Sequence, residues 1–399
     1  MRVYQLNTCG GVKSTGRIAL DIARLVEAQG GKCRIAYGVP GVPDGFDHLF
    51  YRMGTPLERK VHGALRKLLD AEGYGSRRAT RRMIKDLSAF SPDVVHLHNL
   101  HGCYVNLQML FDFLSELQRP VVWTLHDCWP FTGHCAYFDY AACDRWKTGC
   151  RHCPQQRSYP PCFGLDGSAR NYAHKRKLFT SLSNLTLVTP CEWMRQPLSS
   201  SFLSGYPVRV IPNGVDLTAF CPTQSDLRKR YDVGQRKLVL GVASEWDERK
   251  GLRYIAQASE RMGEGYLFAV IGVEPGQLEG LPGRVLGLRR TQSVHELAQW
   301  YTAADCLVNP TLEDNMPMVN LEALACGTPV AVFATGGCPE AVDETCGKVV
   351  AKGDVEALCG AVAALCERKP VDACLLRAKR FDSRRTYESY VRLYEELCT

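Results

Sequence analysis

Asp314 and Glu322 stand eight positions apart in the run Pro310-Thr-Leu-Glu-Asp-Asn-Met-Pro-Met-Val-Asn-Leu-Glu-Ala-Leu-Ala-Cys-Gly-Thr-Pro-Val330. The residues before Asn309-Pro310 predict a strand. Pro317 suits the first position of the helix that follows, and Gly327 suits its end. Amides left unpaired at such a helix start attract phosphate, and carboxylates beside them accept hydrogen bonds from sugar hydroxyls. Glu313 can share the role of Asp314. Asn315, Met316 and Met318 surround the helix start and complete a candidate phosphate- and sugar-binding loop.

Three further clusters carry chemistry. Gly241-Val-Ala-Ser-Glu-Trp-Asp-Glu-Arg-Lys-Gly-Leu252 follows an expected strand, and Arg249 with Lys250 closes its loop just before a helix, where cations neutralise a diphosphate. Asn7-Thr-Cys-Gly-Gly-Val-Lys-Ser-Thr-Gly-Arg17 opens the chain, and Gly10, Gly11 and Gly16 allow close backbone approach to a ligand. It is not a P-loop, because Val12 separates Gly11 from Lys13, and Gly-x-Gly-x-x-Gly is absent. The alternative reading is a tight turn alone. Val121-Val-Trp-Thr-Leu-His-Asp-Cys128 delivers His126 and Asp127 at the end of a strand, with His96, His98 and His101 on the preceding strand and loop, either packed or lining a site.

A fourth cluster consists of thiols. Cys135, Cys143, Cys150 and Cys153 fall within nineteen residues, where the average density of the chain gives about one. The Cys150-Arg-His-Cys153 spacing suits structural zinc, with the other two cysteines completing a tetrahedron. Buried thiols and an iron–sulfur cluster are the alternatives.

Elements must position these groups. Short apolar runs at residues 3–7, 33–37, 94–98, 121–125 and 185–189 read as strands, with helical patterns at 15–27, 80–87, 104–117 and 172–181 between them. The second half repeats the style, with strands at 238–243, 267–271, 285–288, 306–309 and 330–333 and helices at 252–262, 293–303, 318–325 and 355–367. Such alternation predicts an α/β chain of two doubly wound, Rossmann-like domains facing across a cleft, with function in the loops at the carboxyl ends of the strands. The expected division is 1–206, or just after 208–211, with a cysteine-rich insert at 128–162, then 207–375, then a last amphipathic helix within 376–399 that crosses back to the first domain.

Composition narrows the classes. No apolar run approaches the length of a membrane span, and the start of the chain does not read as a signal peptide, so a cytoplasmic protein is expected. Nineteen cysteines without such a leader argue against a disulfide framework. Residues 1–200 hold 26 Lys and Arg against 16 Asp and Glu, whereas 201–399 hold 23 against 26. Ten of those bases lie between Arg52 and Lys85, with Leu and Met interleaved at helical spacing. That face suits an anionic membrane surface or solvent. No nucleic-acid-binding motif accompanies it.

The Pro310–Val330 run resembles the donor-binding motif of the family 4 retaining glycosyltransferases: two acids eight positions apart, then Glu-Ala-hydrophobe-Ala-x-Gly-x-Pro-Val. The resemblance covers nearly the whole chain. It is nearest to the colanic acid and exopolysaccharide branch, which shares the Ser-Thr-Gly-Arg opening, the Leu-His-Asp-Cys-Trp run and a cysteine-bearing insert. It implies a GT-B fold and transfer of a hexose from a UDP- or GDP-linked donor to a saccharide or lipid-linked acceptor in bacterial surface polysaccharide synthesis. The anomeric configuration is retained and no cofactor is needed for catalysis. On this basis Asp314 meets the transferred sugar, Glu322 holds the ribose, and His126 orients the sugar. Lys250-Gly251 matches the family, but Asp314 stands where Glu is usual, and Ala243 or Ser244 stands where an Arg is usual, which Arg249 can replace. A nucleotide-sugar isomerase or epimerase on the same fold is an alternative. A zinc-bearing nucleic-acid-binding protein is another, but it leaves the acid motif unexplained.

Overall fold

Strands buried on both faces lose the polar alternation of a half-exposed sheet, and this pattern dominates the chain. In the computed structural model, which describes residues 1–399, every residue of Val94–Leu97, Val121–Thr124, Leu185–Thr189, Cys306–Asn309 and Val330–Phe333 is buried. The chain divides into two units, Met1–Pro212 with Thr386–Thr399, and Asn213–Arg385.

The first unit holds seven strands: β1 (Arg2–Cys9), β2 (Lys32–Val39), β3 (Phe50–Arg52), β4 (Val94–Leu97), β5 (Val121–Thr124), β6 (Leu185–Thr189) and β7 (Val208–Val210). They are parallel and ordered β3-β2-β1-β4-β5-β6-β7. The order reverses direction between β1 and β4, which places the ligand-binding edge at the loops after those two strands. The helix Lys13–Ala28 packs Ile18, Ile22, Ala23 and Val26 into a core with Val3, Ile35, Val94, Val122 and Val188. The last helix, Ser383–Cys398, adds Tyr387, Tyr390, Val391, Leu393 and Tyr394 to the same core, each no more than 4% exposed.

The second unit holds β8 (Lys237–Val242), β9 (Tyr266–Ile271), β10 (Val285–Leu288), β11 (Cys306–Asn309), β12 (Val330–Phe333) and β13 (Gly347–Val350), parallel in the order β10-β9-β8-β11-β12-β13. Here the reversal falls between β8 and β11. The helices Leu252–Met262 and Val355–Arg368 close the core over Val239, Val270, Val308, Ala331 and Phe333.

The division falls after Pro212, just beyond Val208–Val210, which pairs with β6 as the edge of the first sheet. Two readings of the sequence change. Residues 376–385 stay with the second unit, where Val215 and Phe381 share a backbone hydrogen bond, and only Thr386–Thr399 joins the first. Pro317 occupies the N-cap, so the helix it precedes begins at Met318. The helix Pro56–Leu69 carries Leu57, Val61 and Leu68 at helical spacing, but on a face that points outward. Its start is nonetheless written in the capping box of Thr55 and Glu58.

Candidate functional site

In the second unit, the two strands flanking the reversal deliver the two loops that the sequence singled out. Backbone bonds join them: Leu312 N donates to Arg249 O at 2.7 Å, and the Thr311 hydroxyl donates to the same oxygen at 3.2 Å. Gly251 sits at φ +78, and a Cβ there would meet Pro310 O at 2.1 Å. Only glycine permits that approach. On the other side Gly336, at φ +54, backs onto Asp314 O, which a Cβ would meet at 1.7 Å.

The charges brought together are not the separate groups a linear reading suggests. Lys250 Nζ lies 2.5 Å from Asp314 Oδ2, so the expected phosphate cation and the expected sugar acid form one ion pair. Arg249 pairs with Asp247 at 2.9 Å and donates to Glu313 O at 3.2 Å. Glu313 is 2% exposed, whereas the Asp314 side chain keeps 13% of its surface. Asn315 N donates to Asp314 Oδ1, and Met316 O accepts from Asn213 Nδ2 at 2.9 Å. Met318 opens the helix, and Glu322, one turn further, is buried with Tyr301 OH donating to its Oε2 at 2.9 Å. Burial and this carboxylate together push the Tyr301 hydroxyl well above the usual phenol range, so it stays a donor. Nothing in the local motif points to Tyr301, which arrives from the helix Val294–Ala303.

In the first unit, the histidines form a chain of hydrogen bonds. Gln5 Nε2 donates to Ala19 O, which leaves Gln5 Oε1 to accept from His98 Nε2 at 2.8 Å. His98 Nδ1 then accepts from His126 Nε2 at 2.9 Å, which assigns both tautomers. Burial pushes His126 down to about 4 and His98 well below the usual imidazole range, so both are neutral at pH 7. His96 is packed instead, between Thr124 at 2.8 Å and Tyr394 of the last helix at 2.6 Å. His101 bonds to Asp127 at 2.7 Å and to Tyr159 at 3.2 Å. Burial alone would raise the Asp127 carboxyl, but His101 and the Trp129 amide hold it below its usual value.

The opening loop is first a packed turn. A Cβ on Gly10 would stand 2.6 Å from the Tyr37 ring, and Gly11 adopts φ +82 against Pro43 and Phe50. Lys13, exposed at the start of its helix, adopts φ +59, a conformation unusual for a residue with a side chain.

Cys135, Cys143, Cys150 and Cys153 line a single cavity of about 10 Å³ together with His134, Phe138, Trp146 and Pro154. None forms a disulfide. Another set of donors, on His62, Glu72 and Cys103, lies within 4.8 Å of one another. Those atoms are already used: His62 Nε2 accepts from Gly73 N, and Glu72 Oε1 accepts from Cys103 N. That set is a hydrogen-bonded brace.

The basic stripe forms two helices, Pro56–Leu69 and Arg77–Phe90. Lys60, Lys67, Arg77, Arg78, Arg81 and Arg82 are exposed, and so are Leu57, Val61 and Leu68. Phe163 and Leu165 of the insert, also exposed, are hydrogen-bonded through their backbones to Lys67 and Leu68. No helix is long and apolar enough to cross a membrane.

Comparison with known proteins bears on this arrangement. Residues 15–219 match the model described as "Glycosyltransferase Family 4", and residues 236–368 match "Glycosyl transferases group 1". "Putative colanic acid biosynthesis glycosyl transferase WcaC" of Escherichia coli is 26% identical over 371 residues, covering 89% of this chain and 88% of that protein. A D-inositol 3-phosphate glycosyltransferase of Corynebacterium jeikeium is 34% identical over 157 residues, 34% of this chain and 38% of that one. Among solved structures, sucrose-phosphate synthase of Thermosynechococcus elongatus superposes with a TM-score of 0.71 at 16% identity, over 99% of this chain and 98% of that one. Anabaena HepE in complex with UDP-glucose gives 0.66 at 16% identity, over 99% and 100%. These likenesses share the expected GT-B fold class, and with the family model spanning residues 15–219, the chain belongs to glycosyltransferase family 4.

Proposed function

We propose that this glycosyltransferase moves a hexose from a nucleoside diphosphate to a saccharide or lipid-linked acceptor in bacterial surface polysaccharide synthesis, with retention and without a catalytic metal. One observation carries the reading. The loops after β8 and β11 are hydrogen-bonded into one edge, which brings Arg249 and Lys250 beside Asp314 and the helix leading to Glu322. In this role Lys250, Arg249 and the amides at Met318 stabilise the departing diphosphate. Asp314 accepts from sugar hydroxyls, and Glu322, steadied by Tyr301, accepts from the ribose.

In the retaining step, the acceptor hydroxyl bonds to the anomeric carbon on the face that the phosphate oxygen leaves, and that oxygen takes the hydroxyl proton. His126 is too weak a base to take the proton; its proposed role is to hydrogen-bond and orient a sugar hydroxyl. Uridine is the first base to test, because the Anabaena HepE structures are titled as complexes with UDP and UDP-glucose. The kinship with the colanic acid enzyme supports the acceptor class. The exposed bases and leucines of Pro56–Leu69 support docking at an anionic membrane surface.

A thermal-shift panel of UDP- and GDP-sugars tests the donor assignment. One donor class should stabilise the wild type and leave Glu322→Ala unmoved. Equal stabilisation of both proteins would mean that the donor site is elsewhere. The anomeric signal of the product by NMR tests retention, and turnover unchanged by added Mg²⁺ or Mn²⁺ tests metal independence. Donor consumption that isomerises the sugar without transferring it would favour the isomerase reading.

A further inference from the structure

Between Trp129 and Ser168 the chain forms no strand and no α-helix, only short 3-10 turns at Trp129–Phe131 and Arg145–Lys147. A segment of this length without regular structure needs something other than a backbone ladder to hold it. Its interior offers sulfur. The four cysteines converge on a space of about 10 Å³, room for one water-sized sphere and too small for an iron–sulfur cluster.

The surroundings of that space show what charge it should hold. Lys175 is 3% exposed, and its ammonium donates to Trp129 O at 2.7 Å and Thr132 O at 3.1 Å while lying 3.3 Å from the centre of the Trp129 ring. It has no ion pair at contact distance, and its electrostatic partners are Asp70, Cys150 and Cys135. Burial lowers this ammonium to about 7, and a nearby anion would hold it charged.

His134, 2% exposed, lines the same cavity. Its Nδ1 lies 2.6 Å from Asp70 Oδ1, and its Nε2 is buried with no hydrogen-bond partner. Backbone amides point at the sulfurs as well. Gly133 N donates to Cys150 Sγ at 3.1 Å, and a Cβ at Gly133 would stand 2.6 Å from the Cys150 Cβ, so glycine is required for that approach. Asp166 fixes the second half of the knuckle by accepting from Cys153 N at 3.0 Å.

We propose that the insert holds one Zn²⁺ on the thiolates of Cys135, Cys143, Cys150 and Cys153, with the Lys175 amine beside the resulting anionic centre and His134 in the wall of the cavity. Four thiolates on one Zn²⁺ carry a net charge of −2, an anion beside the buried Lys175 amine. Asp70 accepts from His134 Nδ1 at 2.6 Å and so fixes the ring in the wall of the cavity. Unlike the His62, Glu72 and Cys103 donors, the four sulfurs do not all lie within 4.8 Å of one another, so metal binding requires them to move inward. The centre is structural: it fixes the segment that directly follows His126 and Asp127, and it takes no part in the bond exchange. Loss of the metal therefore lowers stability, and it is read out independently of any nucleotide sugar.

Elemental analysis of the purified full chain should find about one zinc per molecule. A Cys150→Ser/Cys153→Ser variant should lose it, together with the drop in melting temperature that a strong chelator causes in the wild type. Added Zn²⁺ should restore the wild-type melt alone. Cobalt in place of zinc should give the thiolate-to-metal charge-transfer absorption of a tetrahedral sulfur site. His134→Gln should keep the stoichiometry but release metal to a competing chelator about 10- to 100-fold more readily. Iron in place of zinc, a metal-free protein whose four thiols react freely and whose melt ignores Zn²⁺, or a Cys143→Ser variant that retains full metal while His134→Gln loses it would each overturn the assignment.

Discussion

The proposed donor edge of the second unit and the histidine chain of the first solve opposite electrostatic problems. At the proposed donor edge, opposite charges are paired. Lys250 is paired with Asp314, Arg249 with Asp247, and the parent loops are tied to each other by backbone bonds. In the histidine chain, charges are removed. His96, His98 and His126 are held neutral by burial; both ring nitrogens of His96 and His98 are used by Thr124, Tyr394, Gln5 and His126, and His126 gives its Nε2 proton to His98. The first arrangement suits an incoming anion, which can exchange one partner for another. The second suits a fixed hydrogen-bonding surface, because a neutral imidazole holds one donor and one acceptor in set positions. Binding energy should therefore concentrate in the second unit, and acid sensitivity in the first.

The largest effect that would break this contrast is on donor affinity. Glu322→Ala and Lys250→Ala should each weaken nucleotide-sugar binding at least a hundredfold, about 3 kcal/mol, by calorimetric titration. Lys250→Ala is the sharper of the two, because it also leaves Asp314 unpaired where the diphosphate is expected. Retention of full affinity in either variant would remove the second unit as the donor site.

Next in size is the junction between the two loops. Gly251→Ala forces a Cβ onto Pro310 O from a left-handed backbone, so it should cost about 2 kcal/mol of stability. Donor affinity should fall with it, because Arg249 and Lys250 sit on the displaced turn. A variant that melts and binds like the wild type would show that the junction does not hold the loops.

The first unit should respond to acid. Each of the three imidazoles is neutral when folded and takes up a proton near pH 6.5 when unfolded, so below that pH the unfolded chain binds more protons and stability falls. The loss reaches about 1.4 kcal/mol per pH unit for each group and for His126 continues to about pH 4, its folded value. Denaturant melts between pH 7 and 5 should therefore slope downward, and His98→Gln should flatten the slope. An unchanged slope would assign acid sensitivity to other groups.

A subtler effect tests Tyr301. Replacing it with Phe removes one hydrogen bond to a carboxylate that stays in place, a loss of about 1 kcal/mol, or five- to tenfold in donor affinity. The fold should be unaffected, since the ring remains packed. An effect on stability with none on binding would make Tyr301 a core residue alone.

The two regions also differ in how far they could be read from the chain. The donor edge is written in short continuous runs, because a strand, a tight loop and a helix start are all local. Thus Arg249, Lys250, Asp314 and Glu322 were legible by type and spacing. Their pairing was not, since Lys250 and Asp314 are 64 residues apart and meet only because β8 and β11 are neighbours. The histidine chain depends on Gln5, 93 residues from His98, and on Tyr394, 298 residues from His96. Local periodicity carries no such information. The cysteine cluster was legible by density, but His134, Asp70 and Lys175 joined it only in three dimensions. The edge strands Phe50–Arg52 and Val208–Val210 carry too few apolar residues to set a strand or a domain boundary by pattern.

In the basic stripe, each substitution should change stability little. Reversing Lys60, Lys67, Arg77, Arg78, Arg81 and Arg82 to glutamate should move the folding free energy by no more than about 0.5 kcal/mol for each substitution, because these side chains are solvated. If the face docks on a membrane, the same variant should lose sedimentation with phosphatidylserine vesicles, because each base near an anionic surface contributes about 1 kcal/mol. Activity on a soluble acceptor should persist. Serine at Leu57, Val61 and Leu68 separates the two contributions. Charge alone leaves binding in this variant intact but sensitive to salt, whereas insertion of the apolar face makes binding fall even at low ionic strength. Binding unchanged in both variants would return the stripe to solvent and leave the contrast between donor edge and histidine chain untouched.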